Sequence, residues 1–281
     1  MIENRPLSTF FAHLILCVGA VIVALPLYVT FVASTLSAEQ VVQSPMPLLP
    51  GGEALKNYSQ VLFAGGAGQT ALVGKMMINS LITALVIAVG KITISLLSAF
   101  AIVYFRFPGR TIAFWLIFVT LMLPVEVRIL PTYQVISDLR LLDSYFGLTV
   151  PLIASATATF LFRQFFLTVP DELVEAAKID GAGPMRFFKD VLLPLSRTNI
   201  AALFVILFIY GWNQYLWPLL VTNSPGMETI VIGITKLLTA ADAQADWNLI
   251  MATTVLAMLP PVAVIVFMQR WFVRGLVETE K

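Results

Sequence analysis

Long apolar runs alternate with short polar breaks along this chain of 281 residues. A helix rises 1.5 Å per residue, so about 20 apolar residues cross the ~30 Å of hydrocarbon in a bilayer. Six runs reach that length, at 10–32, 77–104, 111–130, 147–166, 199–221 and 249–268. They predict an all-α integral membrane protein with six transmembrane helices in a single domain over 1–281. The first run follows Arg5, but its apolar core exceeds the roughly 7–15 residues of a secretory signal, so it reads as a retained helix. Arg106-Phe107-Pro108-Gly109-Arg110 reads as a tight hairpin between the second and third spans. The Pro- and Gly-rich stretch 34–75 and the stretch 222–248 read as outer loops, the first holding a short helical piece at 55–62.

Composition agrees with the pattern. The chain is 59% hydrophobic and 12% charged, with mean hydropathy +0.90, against about half apolar and a quarter charged in soluble domains. A net charge of +1 leaves no nucleic-acid footprint. The lone Cys17 excludes an intrachain disulfide, and the lone His13, with no Cys/His cluster near it, reads as an interfacial residue and not a metal ligand. Basic residues set the orientation. With both termini cytoplasmic, Arg5, Arg106, Arg110, Arg163, Lys178, Arg186, Lys189, Arg197, Arg270, Arg274 and Lys281 lie inside. Lys56, Lys75, Arg128, Arg140 and Lys236 lie outside, and Lys91 falls within a span. Trp217 and Trp247 then fall at the outer interface and Tyr104 and Trp271 at the inner one, as an aromatic belt requires.

The inner segment 168–196 breaks the pattern. Thr168 is placed to cap a helix with Asp171 three residues on and Pro170 in its first turn. Leu173, Ala176 and Ala177 recur at helical spacing as an apolar packing face, with Glu172 and Glu175 elsewhere on the circumference. Gly181 stops that helix. Pro184 opens a second one carrying Arg186, Phe187, Phe188, Val191 and Leu192, which Pro194 breaks before span five. A helix resting on the inner leaflet favours Lys and Arg, whereas acidic and basic residues mix here, so the element reads as a protein-docking surface.

Within the membrane, Lys91 lies ~21 Å from the inner end of span two and Glu126 ~22 Å from that of span three. A central lysine costs roughly 2.5–3.5 kcal/mol, so something must compensate it. Two readings stand: a Lys91–Glu126 ion pair between neighbouring helices, or Lys91 or Arg128 facing the pathway of an anionic solute. Glu126 and Arg128 point to nearly opposite sides of a regular helix, which Pro124 and Pro131 are placed to disturb. Asn213, Gln214 and Tyr215 make a polar cluster near the outer end of span five, suited to lining a solute route or to bonding between helices. Catalytic chemistry is not legible. The Gly-rich stretch ending Gly74-Lys75-Met76 fails as a phosphate loop, having Gln69 for its first glycine and Met76 where a magnesium-binding Ser/Thr belongs. H-E-x-x-H and G-x-S-x-G do not occur.

Glu175-Ala176-Ala177 with Asp180-Gly181-Ala182 and the downstream Pro194 resembles the EAA loop of binding-protein-dependent ABC importer permeases. Asn79-Ser80-Leu81, Arg106-Phe107-Pro108-Gly109-Arg110, Pro124 with Pro131, and Trp212-Asn213-Gln214-Tyr215-Leu216-Trp217-Pro218 are similar to the sugar and glycerol-phosphate branch of that family. The resemblance covers nearly the whole chain. It implies the type I importer permease fold in a bacterial inner membrane. The implied partners are a dimeric cytoplasmic ABC ATPase, a second and non-identical permease, and a periplasmic solute-binding protein. ATP and magnesium would be bound by the ATPase, with no cofactor on this chain. Glu175, Ala176, Ala177, Asp180, Gly181, Arg186 and Phe187 would form the element docked on the ATPase. The cargo would be a small polar solute, sn-glycerol-3-phosphate or a glycerophosphodiester, or else a sugar. The rival from another class is an ion-coupled secondary transporter, for which Glu126 is the candidate carboxylate but no internal repeat is evident.

Overall fold

The computed structural model describes residues 6–64, 72–120, 123–240 and 246–277, without the side chains of 6, 8, 125, 126, 240 and 271–277. Every regular element among them is helical: α1 (Pro6–Ser34), α2 (Ala38–Val41), α3 (Ala54–Ser59), α4 (Val73–Tyr104), α5 (Arg110–Val119), α6 (Val125–Asp138), α7 (Tyr145–Thr149), α8 (Ala156–Phe166), α9 (Asp171–Ile179), α10 (Pro184–Phe187), α11 (Leu193–Leu195), α12 (Arg197–Trp212), α13 (Leu216–Val221), α14 (Ile230–Ala240) and α15 (Trp247–Val277). Three stretches, Thr9–Ser34, Val73–Tyr104 and Trp247–Arg270, are long and apolar enough to cross a bilayer. The other apolar segments are bent pairs of helices or helices shorter than a span.

The breaks have local causes. The stretch expected as one helix over 111–130 is two, because Pro124 has no N–H to donate and takes an extended backbone (ψ 145°) before α6. Depth counted along a continuous third span therefore does not apply to Glu126 or Arg128. The fourth segment bends by 46° between Tyr145–Leu152 and Ala156–Phe166, where Ser155 caps the second piece through Ala158 N–H. The fifth stops at Trp212 and restarts as α13. The stretch 222–248, expected as an outer loop, contains the apolar helix α14.

The chain divides into two compact units, Met1–Gly74 with Gly233–Met258 and Lys75–Ile232 with Leu259–Lys281. In the first, the loop after α1 folds back on the end of that helix. Thr35 Oγ1 accepts the Gly51 N–H (2.8 Å), and Asn57 donates to the carbonyls of Ser34 (2.9 Å) and Leu36 (2.8 Å). Asn248 in turn donates to Asn57 Oδ1 (3.0 Å). Val32 to Leu36 are buried, whereas the rest of α1 is largely exposed.

In the second unit, α4 and α12 approach closely: a Cβ on Gly211 would lie 2.9 Å from the Ala84 Cα. Asn79, fully buried, donates to the carbonyls of Gly226 and Glu228 (both 2.9 Å) and accepts the Tyr145 hydroxyl (2.7 Å). Ser80 Oγ accepts the Ile230 N–H (2.8 Å) at the start of α14. Trp217, expected at the membrane interface, is instead packed with Ile136, Leu148 and Val221, and its indole donates to the Gly147 carbonyl (3.1 Å). A polar partner inside the fold satisfies the indole N–H that would otherwise seek the headgroup layer.

Asp143 forms a clip between the loops after α6 and α13. Its carboxylate accepts the N–H groups of Asn223 (2.6 Å) and Ser224 (2.8 Å) and the Ser224 hydroxyl (3.1 Å). These donors, the Ser224 N–H foremost, hold its carboxyl below the ordinary 3.8. A carboxylate depressed by folding stabilises above its unfolded pKa and loses that contribution as pH falls through the lower folded value. The clip is therefore expected to stay whole from neutral pH down to about 4. After correction for intrinsic rates, amide exchange at Asn223 and Ser224 should be equally protected at pH 7 and pH 5. Asp143→Ala should speed it about 5- to 10-fold, one or two hydrogen bonds' worth. Equal protection in that variant would refute the clip.

Candidate coupling surface and transport site

The segment that stood out by charge folds as two short helical pieces meeting at a glycine. α9 begins with Asp171 and Glu172, whose charges suit the positive end of a helix, and carries Lys178 in its last turn. Thr168 does not cap it. The hydroxyl donates back to the Phe165 carbonyl (2.7 Å) at the end of α8, and Pro170 occupies the cap position. α9 ends in a Schellman motif: Gly181 N–H donates to the Lys178 carbonyl (3.0 Å) and Ala182 N–H to that of Ala177 (2.8 Å). Gly181 has φ +70°, the left-handed conformation that this closure needs.

Pro184 opens the second piece, as expected. It then widens into a π turn over Phe188–Leu192 and continues as α11 through Pro194. The chain therefore turns at Ser196 and not at Pro194, with 72° between Pro184–Leu195 and Arg197–Trp212. The wider register before Pro194 accommodates a residue with no N–H to give. Phe187 is buried, 5.3 Å from the Tyr104 ring, and Phe188 is 4.9 Å from Phe100. Two aromatic contacts thus fasten the second piece to the end of α4.

The apolar face expected on α9 divides. Ala177 is buried and Val174 partly so, whereas Leu173, Ala176 and Ile179 are exposed, Ile179 at 86%. Val174 turns inward in place of Leu173 because the helix starts at Asp171 and rests on the Ala177 side. Glu175 and Asp180 are exposed beside that outward apolar strip, and Arg186 pairs with its neighbour Asp190 (3.4 Å), both largely in solvent. An exposed strip of Leu173, Ala176, Ile179 and Met185 ringed by Glu175, Asp180 and Arg186 has the character of an unfilled contact surface, an apolar centre with a charged rim.

The second cluster surrounds the break in the fifth segment. Lys91 is 7% exposed and its Nζ lies 3.7 Å from the centre of the Tyr210 ring. That cation–π contact is worth about 2 kcal/mol or more when desolvated. Tyr210 also lines a cavity of about 100 Å³ with Arg128, Thr132, Gln214 and Leu216. Gln214 donates to the Tyr210 carbonyl (3.1 Å), one of the groups left free where α12 stops. Asn213 and Tyr215 are exposed on either side of it. Arg128, Gln214 and, through Tyr210, Lys91 therefore converge. Glu126 lies in the first turn of α6, but its side chain is outside the described residues, and so is the expected Lys91–Glu126 pair.

Tyr210 was missed as a site residue because a tyrosine inside an apolar run reads as core. Asn79 and Ser80 were legible only as a resemblance; the structure gives them work as caps of the segment 226–230. Gly65 to Ala71, in the stretch that superficially resembled a phosphate loop, lie outside the described residues, while Val73 onward is α4. No group of three or more metal-ligating side chains occurs among the described residues.

Comparison with known proteins then places the chain. Residues 91–278 match the family described as binding-protein-dependent transport system inner membrane component. A curated relative from Rhizobium meliloti (strain 1021), the sn-glycerol-3-phosphate transport system permease protein UgpE, is 63% identical over 283 residues, covering 100% of both chains. The protein of the same name from Yersinia enterocolitica is 60% identical, again over the whole of both. A chain in the crystal structure of a bacterial ABC transporter involved in the import of the acidic polysaccharide alginate superposes with a TM-score of 0.84 at 20% identity. It covers 97% of this chain and 99% of that one, and shows the shared fold. The all-α fold, the helix–glycine–helix segment and these matches agree: the chain belongs to the inner-membrane permease family of binding-protein-dependent ABC import systems.

Proposed function

We propose that this permease carries sn-glycerol-3-phosphate, or a closely related glycerophosphate, inward across the membrane by alternating access. The observation that carries the reading is the identity of about 60% over the full length of permeases named for that solute. The convergence of Arg128, Gln214 and the Lys91–Tyr210 pair on one cavity supports it, because a phosphate ester crossing hydrocarbon needs fixed donors and positive charge along its route. In this reading both termini are cytoplasmic and six segments span the bilayer. A dimeric ATPase binds ATP and magnesium and holds the α9–α10 element, with Leu173, Ala176 and Ile179 in contact and Glu175 facing a basic group. A second permease completes the pathway, and a soluble binding protein delivers solute to the outer loops. ATP-driven closure of the ATPase moves α9 and α10, and Phe187 and Phe188 pass the displacement to α4.

Reconstitution tests this directly. The tagged chain should bring down an ATPase and a second permease. Vesicles holding the assembly should take up labelled glycerol-3-phosphate only when both ATP and the binding protein are supplied. Uptake of a sugar instead would move the cargo to the sugar branch, and uptake by this chain alone without ATP would overturn the reading. In the same vesicles Lys91→Met is expected to cut uptake at least about tenfold, the equivalent of one lost desolvated cation contact, with the assembly intact. Unchanged uptake would leave Lys91 a packing residue.

A further inference from the structure

The structure assigns a second basic site, away from the pathway cluster: we propose that Arg110 and Arg163 hold the phosphate of an anionic phospholipid at the inner leaflet, beside the α9–α10 element. The two arginines line one cavity of about 290 Å³ with Ile102, Thr111, Trp115 and Leu167. Arg163 stands in the last turn of α8 with its guanidinium 4.1 Å from the centre of the Phe114 ring. Its Nε is buried and has no hydrogen-bond partner. Among the described residues neither arginine forms an ion pair. A buried guanidinium N–H without an acceptor destabilises the fold, and stacking on Phe114 neutralises none of its charge. An anionic oxygen entering the cavity supplies what is missing.

The surroundings select the source of that oxygen. Arg110 opens α5 behind Gly109, which makes no side-chain cap, so the start of this ten-residue helix brings its positive end near the same cavity. Ile112 (66%), Trp115 (55%) and Leu116 (66%) are exposed on α5 just beyond. A cavity with cations and a helix start at its mouth and exposed apolar and indole side chains alongside matches a headgroup with its acyl chains, and not a soluble anion. Leu167, in its wall, lies four residues before α9 begins. An occupied site therefore steadies the strand of chain from which α9 hangs.

The inference rests on the inner placement of this end of the molecule, and its test reads lipid, not solute. Native mass spectrometry of the intact assembly, released from membranes containing phosphatidylglycerol, should show that lipid retained. Arg163→Gln and Arg110→Gln should each lower the retained fraction about fivefold, the share of one cation near an anionic surface, and Arg163→Lys should restore most of it. Nanodiscs with phosphatidylglycerol should raise the ATPase rate over phosphatidylcholine alone, and the double Gln variant should lose that rise while keeping the basal rate. Equal lipid retention by the Gln variants would overturn the site. Displacement of the lipid by inorganic phosphate alone would overturn the lipid as its occupant. Solute uptake enters neither measurement, so failure of the glycerophosphate reading leaves this result standing.

Discussion

Valine in place of Gly181 is expected to impair transport severely while leaving the membrane-embedded helices folded. At φ +70° a β-branched residue is strained by about 1–2 kcal/mol, whatever space surrounds it. Space is not the obstacle, since a Cβ at this position would meet nothing within 4 Å. The cost is wholly in the backbone, and the cheapest relief is to give up the left-handed residue. That breaks the bonds from Gly181 to Lys178 and from Ala182 to Ala177 and re-aims α9 against α10. The proposed ATPase contact, with Leu173, Ala176 and Ile179 on one piece and Met185 and Arg186 on the other, would then lose its register. Uptake should fall at least about tenfold, corresponding to some 1.4 kcal/mol of coupling, with ATP hydrolysis no longer stimulated by the loaded binding protein. Gly181→Asn, which tolerates the left-handed conformation, should keep most of the activity. Full stimulation in the valine variant would show that the angle between the two pieces is irrelevant.

Asn79→Leu should be the most damaging single change to stability. Leucine keeps the number and branching of the side-chain heavy atoms, so the loss is chiefly one of hydrogen bonds. The carbonyl of Glu228, which is buried, and that of Gly226, which is partly so, lose their donor, and the Tyr145 hydroxyl loses its acceptor. Each stranded group costs about 1–3 kcal/mol before relaxation. A total of about 3–5 kcal/mol, or a melting midpoint lower by about 10 °C in detergent, is expected. Tyr145→Phe removes one of the three bonds and should cost about a third as much. A midpoint for Asn79→Leu within about 2 °C of the parent would show that the segment 226–230 is held by other contacts.

What the sequence disclosed follows from which forces act locally. Twenty apolar residues in a row state a span without help from the rest of the chain, as at 77–104, and Pro184 and Gly181 mark helix ends because their constraints lie in their own backbones. Legibility fails where two distant parts settle the outcome. Val174 faces inward and Leu173 outward because of what α9 rests on, which spacing alone does not give. Trp217 is buried because the Gly147 carbonyl, seventy residues away, accepts its N–H. The break at Pro124 needed only its missing N–H, yet apolar continuity outweighed it. Arg128 and Gln214 were singled out as charged and polar groups within apolar runs, while Tyr210, which links them to Lys91, was invisible until the ring was seen beneath the ammonium.

The first helix has a consequence for how this protein is made. Only 6% of its best apolar window is covered by the rest of the chain, and it is tied down chiefly at its last turn, where Val32 to Leu36 are buried. Its residues are therefore read mainly by whatever surrounds them, lipid or a neighbouring subunit. A newly synthesised copy can complete its interior and still present a whole unclaimed rod to the bilayer.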